Sequence, residues 1–203
     1  MVITLQTDSP NMTTIPDFLS HYYEADCGPF LNLSDLPLTE AAAIQETLRQ
    51  RRATFAGQRA SDYLEVRRAL EDRVRALFIA QGGKPQRQRP HYMILGACSW
   101  LKKWYQQGCE LRIPLANFSP EVVSFTYGDT FPAMRCQDDK PYRGRVYTLA
   151  ELPDLITRYG LPQDWNTEGQ HGPDRYIEAQ VWCDEALQPH LISLPLPDDA
   201  NRP

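Results

Sequence analysis

The sequence predicts an α+β fold, a mixed or mostly antiparallel sheet with N-terminal helices packed on it. Two observations lead to this prediction. Helical hydrophobic spacing is concentrated between residues 39 and 81, whereas short segments with the two-residue alternation of strands occupy most of the chain from residue 91 onward. Strands that do not alternate regularly with helices are typical of α+β proteins, because a doubly wound parallel sheet needs a helix between successive strands.

The predicted N-terminal helices precede residue 84. The first part of the chain carries Ser, Thr, Asn, Pro and Gly between short apolar patches, which predicts loops and one short helix over 15–23. The next helix is predicted over 39–52. A longer one, with Ser61 as its N-cap, has apolar residues three and four apart and ends at Gly82 and Gly83.

The remainder of the chain is mainly predicted strand. Segments rich in β-branched or aromatic residues, or with alternating polarity, lie at 91–95, 111–115, 121–127, 145–147, 175–183 and 190–196. Two short helices are predicted among them. One covers 99–107, and the other follows a capping box formed by Thr148 and Glu151.

The composition is that of an ordinary globular protein. Hydrophobic residues make up 42% and charged residues 23% of the chain, which excludes the disordered and fibrous classes. We expect one domain over 1–196 and a disordered tail over 197–203. The apolar runs are much shorter than the roughly 20 residues that span a bilayer, and the N-terminus lacks the pattern of a secretory signal. A cytoplasmic location is therefore expected.

Metal-binding and common catalytic motifs are missing from the sequence. The five cysteines include no C-x-x-C pair and the four histidines lie far apart, so reduced thiols and no metal are expected. The segment 81–85 has the glycines and the lysine of a phosphate-binding loop but not their spacing, and we interpret it as a helix end. The motifs of α/β-hydrolases, zinc proteases and dinucleotide-binding folds are absent.

The charge of the chain is unevenly distributed. The net charge is -5, yet residues 45–90 contain eleven basic and five acidic residues. Part of this excess fits a solvated helix face with ion pairs such as Glu71 with Arg75. Arg87 and Arg89 lie beyond the predicted helix and are candidates for contact with a phosphate or pyrophosphate. The segment could also bind nucleic acid or an acidic protein, and these interpretations stay open.

Residues 175–183 contain the clearest candidate for a catalytic group. With the period of a strand, one face is apolar and the other carries Tyr176, Glu178, Gln180 and Trp182. A carboxylate between two aromatic residues can stabilise positive charge on a sugar carbon, as carboxylates do in glycoside chemistry. The alternative is a glutamate on a wet face or paired with an arginine.

Several strings resemble a family of uncharacterised bacterial proteins. They are HYY (21–23), GPFLNLSDL (28–36), GGKP (82–85), PHY (90–92) and VSFTYGD (123–129). This resemblance covers most of the chain and implies no activity.

The layout is also similar to the ADP-ribosyltransferase fold, especially its DNA-modifying toxin branch. The corresponding pieces are an early segment with His21, the segments 92–100 and 125–129, and a late strand with Glu178. The sequence departs from that pattern two residues before Glu178, where Tyr176 replaces a Gln or Glu.

This second resemblance implies an NAD-using enzyme without a metal. Glu178 would stabilise the ribosyl cation, and His21 would orient the ribose. Two tyrosines are candidates for stacking on nicotinamide and two arginines for contacting the pyrophosphate: Tyr92, Tyr127, Arg87 and Arg89. The alternative is a non-enzymatic module that binds nucleic acid or a partner protein through the basic segment.

Overall fold

The computed structural model describes residues 14–51 and 59–191 of the chain. Within these ranges, six strands form one antiparallel sheet, and six α-helices and several short 3-10 turns connect and cover the strands. This architecture confirms the predicted α+β class and the antiparallel sheet. The predicted tail over 197–203 lies outside the described residues.

The strands pair in the order β3-β1-β2-β6-β4-β5. Their bounds are β1 Phe18–Glu24, β2 His91–Leu95, β3 Gly108–Pro114, β4 Val123–Tyr127, β5 Tyr147–Thr148 and β6 Ile177–Val181. On β6, Glu178 lies opposite Ile94 of β2 and Thr126 of β4, so it stands near the middle of the sheet. β1 pairs with β3 along its length but shares a single antiparallel pair with β2, Ser20 opposite Ile94. The contact continues just after β2, where the Gly96 amide donates to the Phe18 carbonyl at 2.9 Å.

The longest helix packs on one face of the sheet. The helix bounds are α1 Leu38–Arg51, α2 Tyr63–Ala80, α3 Ser99–Lys102, α4 Thr130–Arg135, α5 Leu152–Tyr159 and α6 Pro162–Trp165. One face of α2 packs on the sheet through Leu70, Val74 and Phe78, which contact Met134 of α4 and the buried Trp182. This packing confirms that an N-terminal helix lies on the sheet.

The two faces of the sheet differ in polarity because side chains alternate along each strand. Ile177, Ala179 and Val181 point into the larger core, which also contains Leu152, Leu155 and Ile156 of α5. Glu178 and Gln180 point to the opposite face, where α2 and α4 lie, and both are buried. The predicted alternation of β6 is therefore confirmed, but its polar face is covered by protein and is not wet.

The end of α2 agrees with the interpretation of its two glycines. Gly82 has a φ of +90°, which favours glycine, and the Gly83 amide donates to the Phe78 carbonyl at 3.0 Å. A Cβ on Gly83 would lie 2.6 Å from the Phe78 ring. These residues end α2 and do not form a phosphate-binding loop.

Some predicted elements were wrong. The helix over 15–23 is strand β1, because its aromatic residues pair with β3 at the sheet edge. The helix over 99–107 stops at Lys102, since the Glu24 carboxylate accepts the Gln106 and Gln107 amides and draws the chain into β3. His190 lies in a 3-10 turn instead of a strand, and 192–196 lie outside the described residues.

Candidate active site

A cleft of about 840 Å³ lies on the α2 side of the sheet. The sheet forms its floor, and α2, α3 and the start of α4 contribute to its walls. Aromatic side chains dominate the lining: Phe30, Tyr63, Tyr92, Trp100, Tyr105 and Tyr176. Both the size, which falls within the roughly 300–1,000 Å³ of small-molecule sites, and the aromatic lining are those of a ligand-binding cleft.

Glu178 projects from the centre of the sheet into this cleft and is 7% exposed. Its Oε2 atom accepts hydrogen bonds from the Thr130 amide at 2.9 Å and from the Thr130 hydroxyl at 2.5 Å. Burial raises the pKa of Glu178 to about 8, and the Asp129 charge adds to the rise, whereas the Thr130 bonds oppose it. At pH 7 the Glu178 side chain is therefore mostly neutral in the free protein. Because Oε2 accepts both bonds, the proton belongs on Oε1.

Asp129 lies two residues beyond the end of β4 and caps the first turn of α4. Its Oδ1 accepts the Phe131 amide at 2.8 Å, and its Oδ2 accepts the Tyr176 hydroxyl at 3.1 Å. The Asp129 side chain is half-buried and lines the cleft. Desolvation raises the pKa of Asp129, while the two hydrogen bonds and the charges of Arg67 and Arg59 oppose the rise.

Asp129 and Glu178 form a carboxyl pair: both line the cleft, and Thr130, the residue after Asp129, binds Glu178. The Asp129 charge raises the pKa of Glu178, because two neighbouring carboxyl groups resist simultaneous ionisation. Asp129 is the more exposed partner and has two arginines near it, which places the negative charge on Asp129 and the proton on Glu178. The cleft thus contains an acid beside a base.

A buried chain of hydrogen bonds fixes Thr130 behind Glu178. The Gln180 amide donates to the Thr130 hydroxyl at 3.1 Å, and the Ser124 hydroxyl donates to Gln180 Oε1 at 3.0 Å. The Trp182 indole in turn donates to Ser124 at 2.9 Å. Since Thr130 accepts from Gln180, its own proton is directed to Glu178. The polar face of β6 is stable inside the protein because its buried side chains form hydrogen bonds with one another and with their neighbours.

Arg67 of α2 reaches the cleft with its guanidinium held by three partners. Its Nε, Nη1 and Nη2 atoms donate to Glu71, the Tyr63 hydroxyl and Asn32 Oδ1, each at 2.9 Å. The guanidinium carbon lies 4.7 Å from the centre of the Tyr92 ring. Burial opposes the charge of Arg67, but Tyr63, Tyr92 and Glu71 raise its pKa, so it stays cationic. It is a fixed positive charge beside the carboxyl pair.

Two further arginines line the cleft and stack on aromatic rings. Arg59 lies 4.3 Å from the centre of the Tyr63 ring, and Arg175 lies 3.9 Å from the centre of the Trp100 ring. A stacked guanidinium keeps its N–H edge oriented for a planar or phosphate ligand.

His21 lines the same cleft as Glu178, but the backbone uses both of its ring nitrogens. The Tyr92 carbonyl accepts from Nδ1 at 2.9 Å, and Nε2 accepts the Phe30 amide at 3.0 Å. Burial lowers the pKa of His21 to about 4, so the ring is neutral and this arrangement fixes its tautomer. His21 bridges β1, β2 and the segment at Phe30, and it would have to break one of these bonds to orient a ribose.

The two tyrosines predicted to stack on nicotinamide lie on opposite faces of the sheet. Tyr92 lines the cleft, where its hydroxyl donates to Glu71 at 3.1 Å and Arg67 lies over its ring. Tyr127 is fully buried in the larger core, and its hydroxyl donates to the Tyr159 carbonyl at 2.7 Å. Tyr127 does not reach the cleft because it points to the other side of β4.

The two arginines predicted to contact pyrophosphate lie outside the cleft. Arg87 donates to Asp184 at 2.5 Å and to Asp35 at 2.7 Å, and Arg89 donates to Asp72 at 2.8 Å. Their N–H groups therefore hold protein carboxylates. These ion pairs hold the segment that connects α2 to β2.

Internal contacts also account for other basic residues of the segment 45–90. In the part of this segment that the structure describes, arginines bind carboxylates or backbone carbonyls: Arg49 binds Glu46, Arg73 binds Met134, and Arg75 binds Pro85 and Arg87. The predicted ion pair of Glu71 with Arg75 is wrong: Glu71 pairs with Arg67, and the chain beyond α2 folds back to place carbonyl groups beside Arg75.

Sequence reasoning missed Asp129, Arg59, Arg67 and Arg175 as cleft residues. Two signals were present. Tyr63, Arg67 and Glu71 are spaced by four and share one face of α2. Asp129 also stands between a strand and the start of a helix, where an aspartate is a common N-cap. Neither signal indicates a cleft without the sheet that α2 covers.

Among the described residues, no group of three or more His, Cys, Asp or Glu side chains is arranged to hold a metal ion. Within the same ranges, no helix has both the length and the apolar character needed to cross a membrane. No family model, curated protein or solved structure matches the chain significantly.

Proposed function

We propose that the protein is an NAD-consuming enzyme of the ADP-ribosyltransferase type, which binds NAD in the cleft with the ribosyl carbon beside Glu178. The observation that carries this proposal is the Asp129–Glu178 carboxyl pair, which lies among aromatic rings and arginines in a cleft of small-molecule size. Carboxylates of this kind stabilise the oxocarbenium-like charge that forms when a glycosidic bond breaks.

The cleft walls support a ligand with flat rings and a pyrophosphate. Trp100 and Tyr105 offer aromatic surface to a heterocyclic base. Arg59 and Arg175 line the same cleft and take the role that the sequence assigned to arginines outside it. In this proposal NAD is a substrate, because its ribosyl bond is broken.

Glu178 has to be ionised when positive charge develops on the ribosyl carbon. In the free protein it is mostly neutral at pH 7, since its pKa is raised to about 8. The nicotinamide ring of NAD carries a positive charge, which favours the Glu178 carboxylate. NAD binding is therefore coupled to release of the Glu178 proton, and Thr130 continues to hold Oε2 while Oε1 faces the ribosyl carbon.

The test combines a binding and an activity measurement. NAD at millimolar concentration should raise the melting temperature of the wild type, and free nicotinamide should accumulate with water as the acceptor. Glu178→Gln keeps a similar side-chain shape and should reduce nicotinamide release at least about 100-fold. Glu121→Gln is the matched control, because Glu121 is exposed and pairs with Lys84 outside the cleft.

Two outcomes contradict the proposal. One is a wild type that shows neither an NAD-dependent rise in melting temperature nor nicotinamide release. The other is nicotinamide release that survives in Glu178→Gln at the rate of the Glu121→Gln control.

A further inference from the structure

We infer that Asp129 is the base that takes the proton from the acceptor during ribosyl transfer, and that Tyr176 is the positioning residue that orients it. The inference rests on the proposed function, because it names the second carboxyl group of the same site. In the sequence pattern, Tyr176 stands where the resemblance leads one to expect a Gln or Glu. Tyr176 instead donates a hydrogen bond to Asp129, the N-cap of α4, which brings a second carboxyl group to the cleft.

The position of Asp129 fits this role. It lines the cleft on the same side of the sheet as Glu178, and its neighbour Thr130 binds Glu178 directly. Unlike Glu178, Asp129 is half-buried, and it lines the cleft that an acceptor would enter. The two carboxyl groups thus line one cleft, from two different elements of the fold.

Tyr176 fixes the direction of the Asp129 carboxylate. The Tyr176 side chain is 3% exposed, and its hydroxyl donates to Asp129 Oδ2 at 3.1 Å. The Phe131 amide holds the other oxygen at 2.8 Å. Because Tyr176 and Glu178 are two residues apart, they share one face of the β6 backbone. The same segment therefore positions the base and carries the residue that faces the ribosyl carbon.

The step balances without an additional reagent. The bond between the ribosyl carbon and the nicotinamide nitrogen breaks, and its electron pair leaves with nicotinamide, which becomes neutral. An acceptor hydroxyl, amine or water forms the new bond to the ribosyl carbon and gives its proton to the Asp129 carboxylate. Asp129 then returns this proton to water. Glu178 stabilises the charge on carbon, while Arg59 and Arg67 favour the ionised Asp129 that the step requires.

Other titratable groups that line the cleft are less suited to this role. His21 uses both ring nitrogens for backbone contacts. His91 directs Nε2 to Asp184 at 2.8 Å, and its Nδ1 atom is buried. Burial and the charges of Asp129 and Glu178 raise the pKa of Tyr176, so it remains a hydrogen-bond donor.

The decisive variant is Asp129→Asn, because an asparagine oxygen can still cap α4. Loss of a general base should lower nicotinamide release at least about 100-fold while the NAD-dependent rise in melting temperature stays. Azide carries no proton that must be removed, so azide should restore nicotinamide release in Asp129→Asn and not in Glu178→Gln. Asp164→Asn, at an exposed position of α6, is the matched control and should behave as wild type.

Two further measurements test the roles assigned to Asp129 and Tyr176. Without NAD, Asp129→Asn should lower the Glu178 pKa in a carboxyl NMR titration, because a neighbouring negative charge is removed. Tyr176→Phe should lower turnover about tenfold at unchanged KM for NAD, and it should shift the acidic limb of the pH–rate profile upward, because Asp129 loses a hydrogen-bond donor.

The outcomes separate the two proposals. If the wild type neither binds nor cleaves NAD, the proposed function fails and the role of Asp129 fails with it. If the wild type cleaves NAD but Asp129→Asn cleaves it equally well, or loses activity without an azide response, the proposed function stands and the inference about Asp129 is overturned. Loss of activity with azide rescue supports both.

Discussion

Replacing Glu178 by glutamine should make the protein more stable at alkaline pH, even though it removes the proposed catalytic group. Oε2 of Glu178 accepts two hydrogen bonds from Thr130, and an amide oxygen can accept the same two. The substitution therefore keeps the packing and the buried hydrogen-bond chain. It removes the cost of ionising a carboxyl group that is buried beside Asp129.

The sign and size of this effect follow from the pKa of Glu178. It is about 8 in the folded protein and 4.5 for the free side chain, so between these pH values the folded state holds a proton that the unfolded state has lost. Raising the pH through this window favours unfolding. At about 1.4 kcal/mol per pH unit, the cost reaches roughly 5 kcal/mol at pH 9 as an upper limit. We expect a gain of at least about 2 kcal/mol for Glu178→Gln, since relaxation of the site reduces the cost in the wild type.

Urea unfolding at pH 5 and pH 9 measures this gain. The difference between Glu178→Gln and the wild type should be small at pH 5 and should grow to its full size at pH 9. Comparing variants at each pH cancels the titration of other groups, and Glu121→Gln controls for the loss of one carboxylate from the surface. A difference that does not change between pH 5 and pH 9 would show that Glu178 is not the buried, proton-holding group described above.

Three further predictions test the ligand site and the packing around it. NAD should bind more tightly as the pH rises towards 8, by about tenfold per pH unit, because the carboxylate form of Glu178 favours the cation; calorimetry that finds no pH dependence would contradict this. Gly83→Ala should destabilise the protein by about 1–3 kcal/mol, since its Cβ would meet the buried Phe78 ring at 2.6 Å, whereas Gly82→Ala has open space and should cost about 1 kcal/mol through its positive φ alone. Gln180→Met keeps the side-chain length but removes one hydrogen-bond partner each from the buried Ser124 and Thr130 hydroxyls, so a loss of about 2–4 kcal/mol is expected in urea unfolding.

The helices and strands that were predicted well have strong local signals. Helix α2 has apolar residues at helical spacing and two glycines at its end, and both features act within a few residues of sequence. The element over 15–23 was predicted as a short helix among loops, because turn-forming residues interrupt the apolar patches of this region. Its strand conformation depends on β3, about ninety residues away, and no local pattern contains that partner.

The candidate site was predicted in part. The alternation of β6 placed Glu178 on the face opposite the large core, and the structure brings His21 and Tyr92 to the same cleft. It places Tyr127 and Arg87 elsewhere, since one lies on the other face of the sheet and the other binds two aspartates.

The sequence by itself determined the α+β class, the long helix with its end, and the side of β6 on which a carboxylate stands, because periodicity and turn chemistry are local properties. Only the tertiary structure decided that this side is covered by α2, that Asp129 lies beside Glu178, and that Arg67 rather than Arg87 accompanies them. These relations join residues that are far apart in the chain. Burial and the proximity of the two carboxyl groups then set the charge on Asp129 and on Glu178. The sequence around either residue alone does not predict that charge.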